Sequence, residues 1–445
     1  MDTTENGIVH IRQPATAPQP RRVMVFDTTL RDGEQAPGNV MSAEQKVAMF
    51  RRLDALGLDL VEGGFPASSG EDFEAFREMA QGPRASKICA FCRAAERDID
   101  IIAEGLGSSG NAQIEILLVG SEIHLEHKRR ITAEEAIEEA VRSVRHAASL
   151  GFDDIAVAPE DATRGSLPFL ERLLKASVEA GARTVAIPDT VGCALPHEFA
   201  ALVRAIRSWV GPDVILSAHC HDDMGLALAN TLAALEAGAD SFQATLCGIG
   251  ERAGNTALEE AIAQLRLNGP RMGLATDVAL EPVIEAAHAL REMIRLPLMP
   301  TKPLLGTEAR TVTAPTHLGW VRTAEAWPVR PVAALRPNAI MVGGTPRNAI
   351  TRRLAEAGVV IDIDKIDAVC DRLAADPTPT ASTITAPWSP SIAKWPTAAP
   401  ACPAELPQAA RRPLSCPAGP PGPSAPGGHH RRELFSAKLT KIFCV

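Results

Sequence analysis

The chain has 445 residues, of which 46% are hydrophobic and 22% charged, and its mean hydropathy is near zero. This balance is typical of a globular protein with a substantial core and excludes global disorder. It contains no apolar run of the roughly 18 residues that a membrane-spanning helix needs. The first 22 residues lack the apolar segment of a secretory signal, and the nine cysteines are irregularly spaced. We therefore expect a cytoplasmic protein with reduced thiols.

The net charge of −9 is unevenly distributed along the chain. Residues 377–445 hold seven basic and two acidic residues, whereas residues 1–376 hold 38 basic and 52 acidic ones. An acidic body with only 4% aromatic residues lacks the positive surface that phosphate contacts require. We therefore expect neither a nucleic-acid nor a membrane partner. The chain has no tyrosine, which excludes any mechanism that needs a tyrosine hydroxyl.

After an N-terminal arm (residues 1–22), short apolar segments alternate with helical patterns up to about residue 270. Such segments are typical of parallel strands that are buried on both faces. The predicted strands are residues 23–26, 58–62, 87–91, 113–119, 154–158, 184–187, 214–218 and 241–245.

The helical patterns between these strands carry start and stop signals. Ser42 to Gln45 and Thr132 to Glu135 fit capping boxes, and glycines such as Gly57 follow several helices. Eight strand–helix units in about 250 residues predict an α/β fold of the (β/α)₈ TIM-barrel type for residues 23–270. A doubly wound open sheet is the alternative, disfavoured because no Gly-x-Gly-x-x-Gly loop follows a strand.

Two further segments follow the predicted barrel. Residues 271–376 combine short helical patterns, including residues 349–358, with proline-containing connectors, and we interpret them as a small helical appendage. Residues 377–428 contain 14 prolines in 52 residues. Because proline lacks a backbone donor and interrupts helices and sheets, we predict that residues 377–445 form a disordered tail.

Polar residues concentrate where the predicted strands end. In a TIM barrel these positions surround the active site. The polar clusters are residues 27–35, 62–66, 160–161, 189–190, 219–223 and 248–255. Six clusters in phase with the strands favour a functional site over ordinary solvent-exposed loops.

The sharpest local feature is His219-x-His221. Residues two apart on a strand face the same side, so both imidazoles point into one cavity. Asp32 lies at the end of a neighbouring strand of the closed barrel and can add a carboxylate, with Asn255 at a matching strand end. This donor set suits Mn, Co, Zn or Fe(II) better than Mg. The alternative is two histidines in a polar loop.

Arg31 precedes Asp32 directly. Its permanently charged guanidinium could hold a developing oxyanion near the metal. A salt bridge to a neighbour such as Glu62 is the structural alternative, and both could hold. Of the cysteines, Cys89 and Cys92 are interpreted as two buried thiols rather than a redox or zinc pair. Strand alternation points Cys220 away from the metal.

Three segments together carry a family resemblance: FDTTLRDGEQ (26–35), HCHDDMGLA (219–227) and GIGERAGN (248–255). Residues 23–358 resemble the DRE-TIM metallolyases. They are most similar to the Claisen-condensing branch, which includes 2-isopropylmalate, homocitrate, citramalate and Re-citrate synthases. The resemblance implies an acyltransferase that condenses acetyl-CoA with a 2-oxo acid and releases CoA. It also implies a homodimer and a divalent metal, Mn²⁺ or Co²⁺ before Zn²⁺ or Mg²⁺.

The same resemblance implies roles for individual residues. Asp32, His219 and His221 bind the metal, with Asn255 at or near it. Arg31 polarises the keto oxygen. The contacts of the 2-oxo acid would be Glu62, Glu115, Glu160 and Thr190. Glu160 is also a candidate catalytic residue, and His317 is the candidate catalytic base.

Two departures from the family bear on the substrate. The appendage offers no tyrosine, and Glu115 stands where many 2-isopropylmalate synthases carry a histidine. The whole chain resembles synthases that use phosphinopyruvate, an oxaloacetate analogue, in antibiotic biosynthesis, and we expect a substrate of that type. The other substrates of the branch are the first alternative, and a metal-dependent lyase or aldolase of the same superfamily is the second. A non-catalytic binding module is disfavoured because the set of metal ligands is complete.

Overall fold

A computed structural model describes residues 19–309, 311–312, 338–339 and 366–368. Eight parallel strands close into a barrel in chain order, and each is followed by a helix. The predicted TIM barrel is thereby confirmed and the open sheet excluded. His317, the predicted helix at residues 349–358 and the proline-rich tail lie outside the described residues.

The strands of the barrel are β1 (Met24–Asp27), β2 (Leu60–Glu62), β3 (Lys87–Arg93), β4 (Ala112–Val119), β5 (Ile155–Glu160), β6 (Thr184–Asp189), β7 (Ile215–Cys220) and β8 (Ser241–Ala244). The helices that follow them are α1 (Ala43–Asp54), α2 (Gly70–Gln81), α3 (Glu96–Leu106), α4 (Ala133–Ser149), α5 (Leu167–Ala180), α6 (Pro196–Val210), α7 (Ala227–Glu236) and α8 (Leu258–Met272). A further helix, α9 (Leu280–Ile294), packs against α8 and α1.

Local sequence sets where these helices begin. Both predicted capping boxes are present, at Ser42 before α1 and at Thr132 before α4. In each box the cap hydroxyl and the side chain three residues later satisfy backbone N–H groups that the first helical turn leaves unpaired. Within the described residues, no helix is both long and apolar enough to cross a bilayer.

The barrel closes where β1 pairs with β8, with Phe26 opposite Gln243 in the register. Next to this seam, Arg21–Arg22 pairs in parallel with Leu274–Ala275, which follows α8. Helix α8 itself runs through Pro270 to Met272, two residues past the expected end of the barrel.

The barrel interior is apolar at one level and polar at the next. Phe26, Leu60 and Cys89 form a small buried cluster. Strand alternation places Glu62, two residues beyond Leu60 and nearer the carboxyl end of its strand, on the same interior side. The layer beyond the cluster therefore carries charged side chains, and it forms the floor of the site.

The cysteine predictions are confirmed. Cys89 and Cys92 are free, fully buried thiols on β3. They face opposite sides of the strand, Cys89 toward the interior cluster and Cys92 toward the core beneath the helices. Burial raises the pKa of both thiols, so they are poor metal ligands and poor nucleophiles. Cys220 is likewise buried in the outer core.

Candidate metal centre and active site

Three side chains converge at the carboxyl end of the barrel. His219 lies on β7, His221 just beyond it, and Asp32 opens the short 3₁₀ turn Asp32–Gln35 after β1. The Nε2 atoms of His219 and His221 lie 3.1 Å and 3.9 Å from Oδ2 of Asp32. The two Nε2 atoms are 3.2 Å apart. One ligand atom from each residue therefore falls within 4.8 Å of the others, as a shared cation requires.

Asn255 completes the cluster. A β-bridge pairs Asn255 with His221, and its Nδ2 donates to Oδ2 of Asp32 at 2.9 Å. Among the described residues, Oδ1 of Asp32 and Oδ1 of Asn255 are buried and have no hydrogen-bond partner. Leaving such oxygens unsatisfied is costly, and a cation would satisfy them. Two imidazoles and these oxygens thus fit a divalent metal.

Burial and neighbouring charges set the protonation of Asp32 and His221. Burial alone would raise the pKa of Asp32, but Arg31 and the two histidines hold it below its usual range. Burial, assisted by His219, lowers the pKa of His221 to about 4. An ionised Asp32 and a neutral His221 have the protonation states that metal binding needs.

Arg31 is held in place on two sides. Its Nε donates to Oε1 of Glu62 at 2.8 Å, and its Cζ lies 4.3 Å from the centre of the Phe91 ring. Its Nη1 lies 3.8 Å from Oδ2 of Asp32. The predicted salt bridge to Glu62 is therefore present, and the same arrangement places the guanidinium beside the metal ligands. Burial raises the pKa of Glu62, although Arg31 opposes that shift.

Glu115 and His219 are connected through a residue that the sequence patterns did not indicate. Nδ1 of His219 lies 2.7 Å from Oε1 of Gln243, and Nε2 of Gln243 donates to Oε2 of Glu115 at 2.7 Å. Glu115, expected at the substrate, is thus hydrogen-bonded below a metal ligand. The only sequence signal for Gln243 was a polar residue inside the strand Ser-Phe-Gln-Ala.

Glu160 and Thr190 lie at the ends of the neighbouring strands β5 and β6. Both oxygens of Glu160 accept from Nζ of Lys128 at 2.8 Å. Oγ1 of Thr190 accepts from the backbone N–H of Asp161, also at 2.8 Å. Lys128 lies in the π-helical turn Leu125–Arg129, and no sequence pattern indicated this contact. The structure thus pairs Glu160 with a lysine and Thr190 with the backbone.

Two glycines shape the loop that carries Asn255. Gly250 has φ +154°, and a Cβ there would lie 2.8 Å from Oδ1 of Asn255. Gly254 has φ +94°, and a Cβ there would lie 2.0 Å from the carbonyl oxygen of Gly248. Any side chain at either position would push the loop away from the ligand cluster.

Comparison with known proteins shows the family to which this chain belongs. The HMGL-like family model matches residues 22–290, so the chain belongs to the HMGL-like family. It is 37% identical to a 2-isopropylmalate synthase of Nitrosococcus oceani, over 77% of this chain and 68% of the relative. It is 38% identical to one of Heliobacterium modesticaldum, over 78% of this chain and 69% of the relative.

Solved structures share the fold. The hydroxymethylglutaryl-CoA lyase of Pseudomonas aeruginosa superimposes with a TM-score of 0.54 at 20% identity, over 63% of this chain and 95% of the lyase. The lyase of Brucella melitensis gives a TM-score of 0.53 at 21% identity, over 62% of this chain and 100% of the lyase. These likenesses concern the barrel architecture alone.

The glycine loop gives a first prediction. Gly254→Ala places a Cβ against the Gly248 carbonyl and displaces Asn255, so we expect affinity for Mn²⁺ to fall by roughly tenfold or more. Gly225→Ala is the matched control, because Gly225 also has positive φ (+69°) but nothing lies within 4 Å of its Cβ position. Titration of metal-free protein with Mn²⁺, followed by electron paramagnetic resonance, measures both. Equal affinities in the two variants would show that the loop does not support the metal.

Proposed function

We propose that this chain catalyses a metal-dependent Claisen condensation of acetyl-CoA with a 2-oxo acid and releases CoA. The observation that carries the proposal is the buried cluster of Asp32, His219 and His221 with a guanidinium beside it. The similarity to 2-isopropylmalate synthases over 77% of the chain supports it independently.

In the proposed reaction the deprotonated methyl carbon of acetyl-CoA forms a bond to the keto carbon of the 2-oxo acid. The keto oxygen takes up a proton and becomes a tertiary hydroxyl, and water then hydrolyses the thioester to release CoA. A divalent metal bound by the cluster would polarise the keto group as a Lewis acid.

Arg31 serves this reaction through its charge and fixed position. A guanidinium stays protonated at every working pH, and the contacts with Glu62 and Phe91 restrict its movement. A donor that is already oriented stabilises a developing oxyanion without reorganisation. We therefore assign Arg31 to the keto oxygen.

The base that deprotonates the acetyl methyl group must come from elsewhere. His219 and His221 serve as ligands, Glu160 is paired with Lys128, and Glu115 accepts from Gln243. His317, outside the described residues, is our candidate, because a histidine pKa lies near working pH. We propose that it reaches the site from the appendage, of the same chain or of the partner in a homodimer.

For the 2-oxo acid there are two candidates. The named activity of the relatives favours an acid with an isopropyl side chain, which would give 2-isopropylmalate. The absence of tyrosine and the presence of Glu115 favour an oxaloacetate-like acid such as phosphinopyruvate, the activity of a 2-phosphinomethylmalate synthase. We place the isopropyl acid first, because similarity over most of the chain supports it.

A panel of 2-oxo acids tests the function. Purified protein with Mn²⁺ or Co²⁺ is mixed with acetyl-CoA and 3-methyl-2-oxobutanoate, oxaloacetate, phosphinopyruvate, 2-oxoglutarate or pyruvate, and free thiol is measured. We expect CoA release with at least one acid, loss of release on chelation, and recovery on adding metal.

The controls for this panel separate the alternatives. His219→Ala should abolish both metal binding and CoA release while leaving the barrel folded. Cleavage of 3-hydroxy-3-methylglutaryl-CoA without any condensation would identify a lyase instead. Undiminished release from a metal-free preparation would contradict the metal-dependent mechanism.

Arg31→Lys tests the guanidinium. Lysine keeps the charge but loses the planar fork and the Nε contact with Glu62, so we expect kcat to fall by roughly 10²–10³-fold with normal metal content. Arg129→Lys is the matched control, because Arg129 also pairs with a carboxylate, that of Glu139. Wild-type turnover in Arg31→Lys would show that Arg31 is structural.

His317→Ala tests the base. Removal of the imidazole should abolish exchange of deuterium from the acetyl methyl group into water, since His317 is the proposed acceptor of that proton. Binding of Mn²⁺ and of the 2-oxo acid should persist, which calorimetry checks. If exchange continues at the wild-type rate, the base is another residue, and Glu160 or Glu115 is then the group to substitute.

A further inference from the structure

A chain of hydrogen bonds crosses the barrel interior beneath the metal ligands. It runs from Glu115 on β4 to Gln243 on β8 and then to His219 on β7, with two contacts of 2.7 Å each. The exposed fractions of Glu115 and Gln243 are 2% each, and that of His219 is 8%. Water therefore has little access to any of these three hydrogen-bonded side chains.

The direction of these hydrogen bonds places a proton on Nδ1 of His219. The side-chain NH₂ of Gln243 donates to the carboxylate of Glu115, so its carbonyl oxygen faces Nδ1 of His219. A ring nitrogen opposite a carbonyl oxygen must carry the proton. In the neutral ring, which is the form that binds a metal, the lone pair of His219 then resides on Nε2, the atom that faces Asp32 and His221.

We propose that Gln243 is a positioning residue for the metal centre: it selects the Nδ1-protonated tautomer of His219 and fixes the ring so that Nε2 faces the cation. Glu115 acts one step further out, by holding the Gln243 carboxamide in the required orientation. This inference rests on the proposed metal site. It extends that site from the ligands to the side chains that orient them.

The two histidines differ in this respect. Among the described residues, Nδ1 of His221 is buried without a hydrogen-bond partner. Orientation of His221 depends instead on its backbone, which forms the bridge to Asn255. Control of a ligand tautomer by a side chain is therefore concentrated on His219.

A matched residue separates positioning from ordinary packing. Gln113 also lies on β4 and is 3% exposed, and its Nε2 donates to Oδ1 of Asp154 at 2.9 Å. Strand alternation places it, like Glu115, on the interior side. The acceptor of that hydrogen bond, Asp154, is not one of the metal ligands. Gln113→Met and Gln243→Met thus make the same chemical change at equal burial.

The experiment measures Mn²⁺ affinity of the full chain without substrate. We expect Gln243→Met to bind Mn²⁺ roughly 10–100-fold more weakly than the wild type, and Gln113→Met to bind it unchanged. ¹⁵N NMR of the histidine side chains should show an Nδ1-protonated His219 in the wild type and a mixture of tautomers in Gln243→Met. Wild-type affinity in Gln243→Met would overturn the proposal.

An exchanged pair of substitutions keeps the test decisive if Gln243→Met does not fold. Gln243→Glu alone sets two carboxylates against each other and should weaken Mn²⁺ binding. Adding Glu115→Gln restores a donor opposite the new carboxylate, which can still accept from Nδ1 of His219. We expect the double variant to recover affinity for Mn²⁺. Failure to recover it would contradict the proposed hydrogen bonding from Glu115 through Gln243 to His219. If the wild type itself binds no Mn²⁺, the metal site is wrong and this proposal falls with it.

Discussion

The buried carboxylate of Asp32 is the constraint on which the site depends. Fully enclosed carboxylates are unstable as anions unless positive charge lies close by. Arg31 supplies that charge from 3.8 Å, and the imidazoles of His219 and His221 converge on the same oxygen. Because the arginine is itself held by Glu62 on β2 and Phe91 on β3, the position of the ligand cluster depends on these two strands as well as on the ends of β1 and β7.

Charge balance explains why the barrel interior is polar at this level. Asp32, Glu62 and Glu115 are buried carboxylates, and Arg31 is the guanidinium that lies among them. Burial raises the pKa of Glu62 and of Glu115, and the nearby Arg31 opposes both shifts. A divalent cation at the ligand cluster would add positive charge close to these carboxylates. The polar layer therefore fits the metal centre that we propose.

The barrel and the convergence of Asp32, His219 and His221 could be predicted from the sequence, because both follow from local patterns. The eight short apolar segments give the number of strands directly. His219 and His221 share a face because side chains on a strand alternate with a period of two residues. The contacts of Gln243 and Phe91 depend on which side chains meet across the barrel interior. The contact between Lys128 and Glu160 depends on how a loop folds at the carboxyl end of the barrel. No pattern within one segment encodes those contacts. The choice of 2-oxo acid depends on the same kind of contact.

The most direct test of a metal centre is to locate the ion by anomalous diffraction. Crystals grown with Mn²⁺ or Co²⁺ are measured on both sides of the absorption edge of that metal. We predict one strong anomalous peak bounded by Nε2 of His219, Nε2 of His221 and the carboxylate of Asp32. A fully occupied peak elsewhere, or none at this position in crystals of protein that consumes acetyl-CoA, would contradict the assignment.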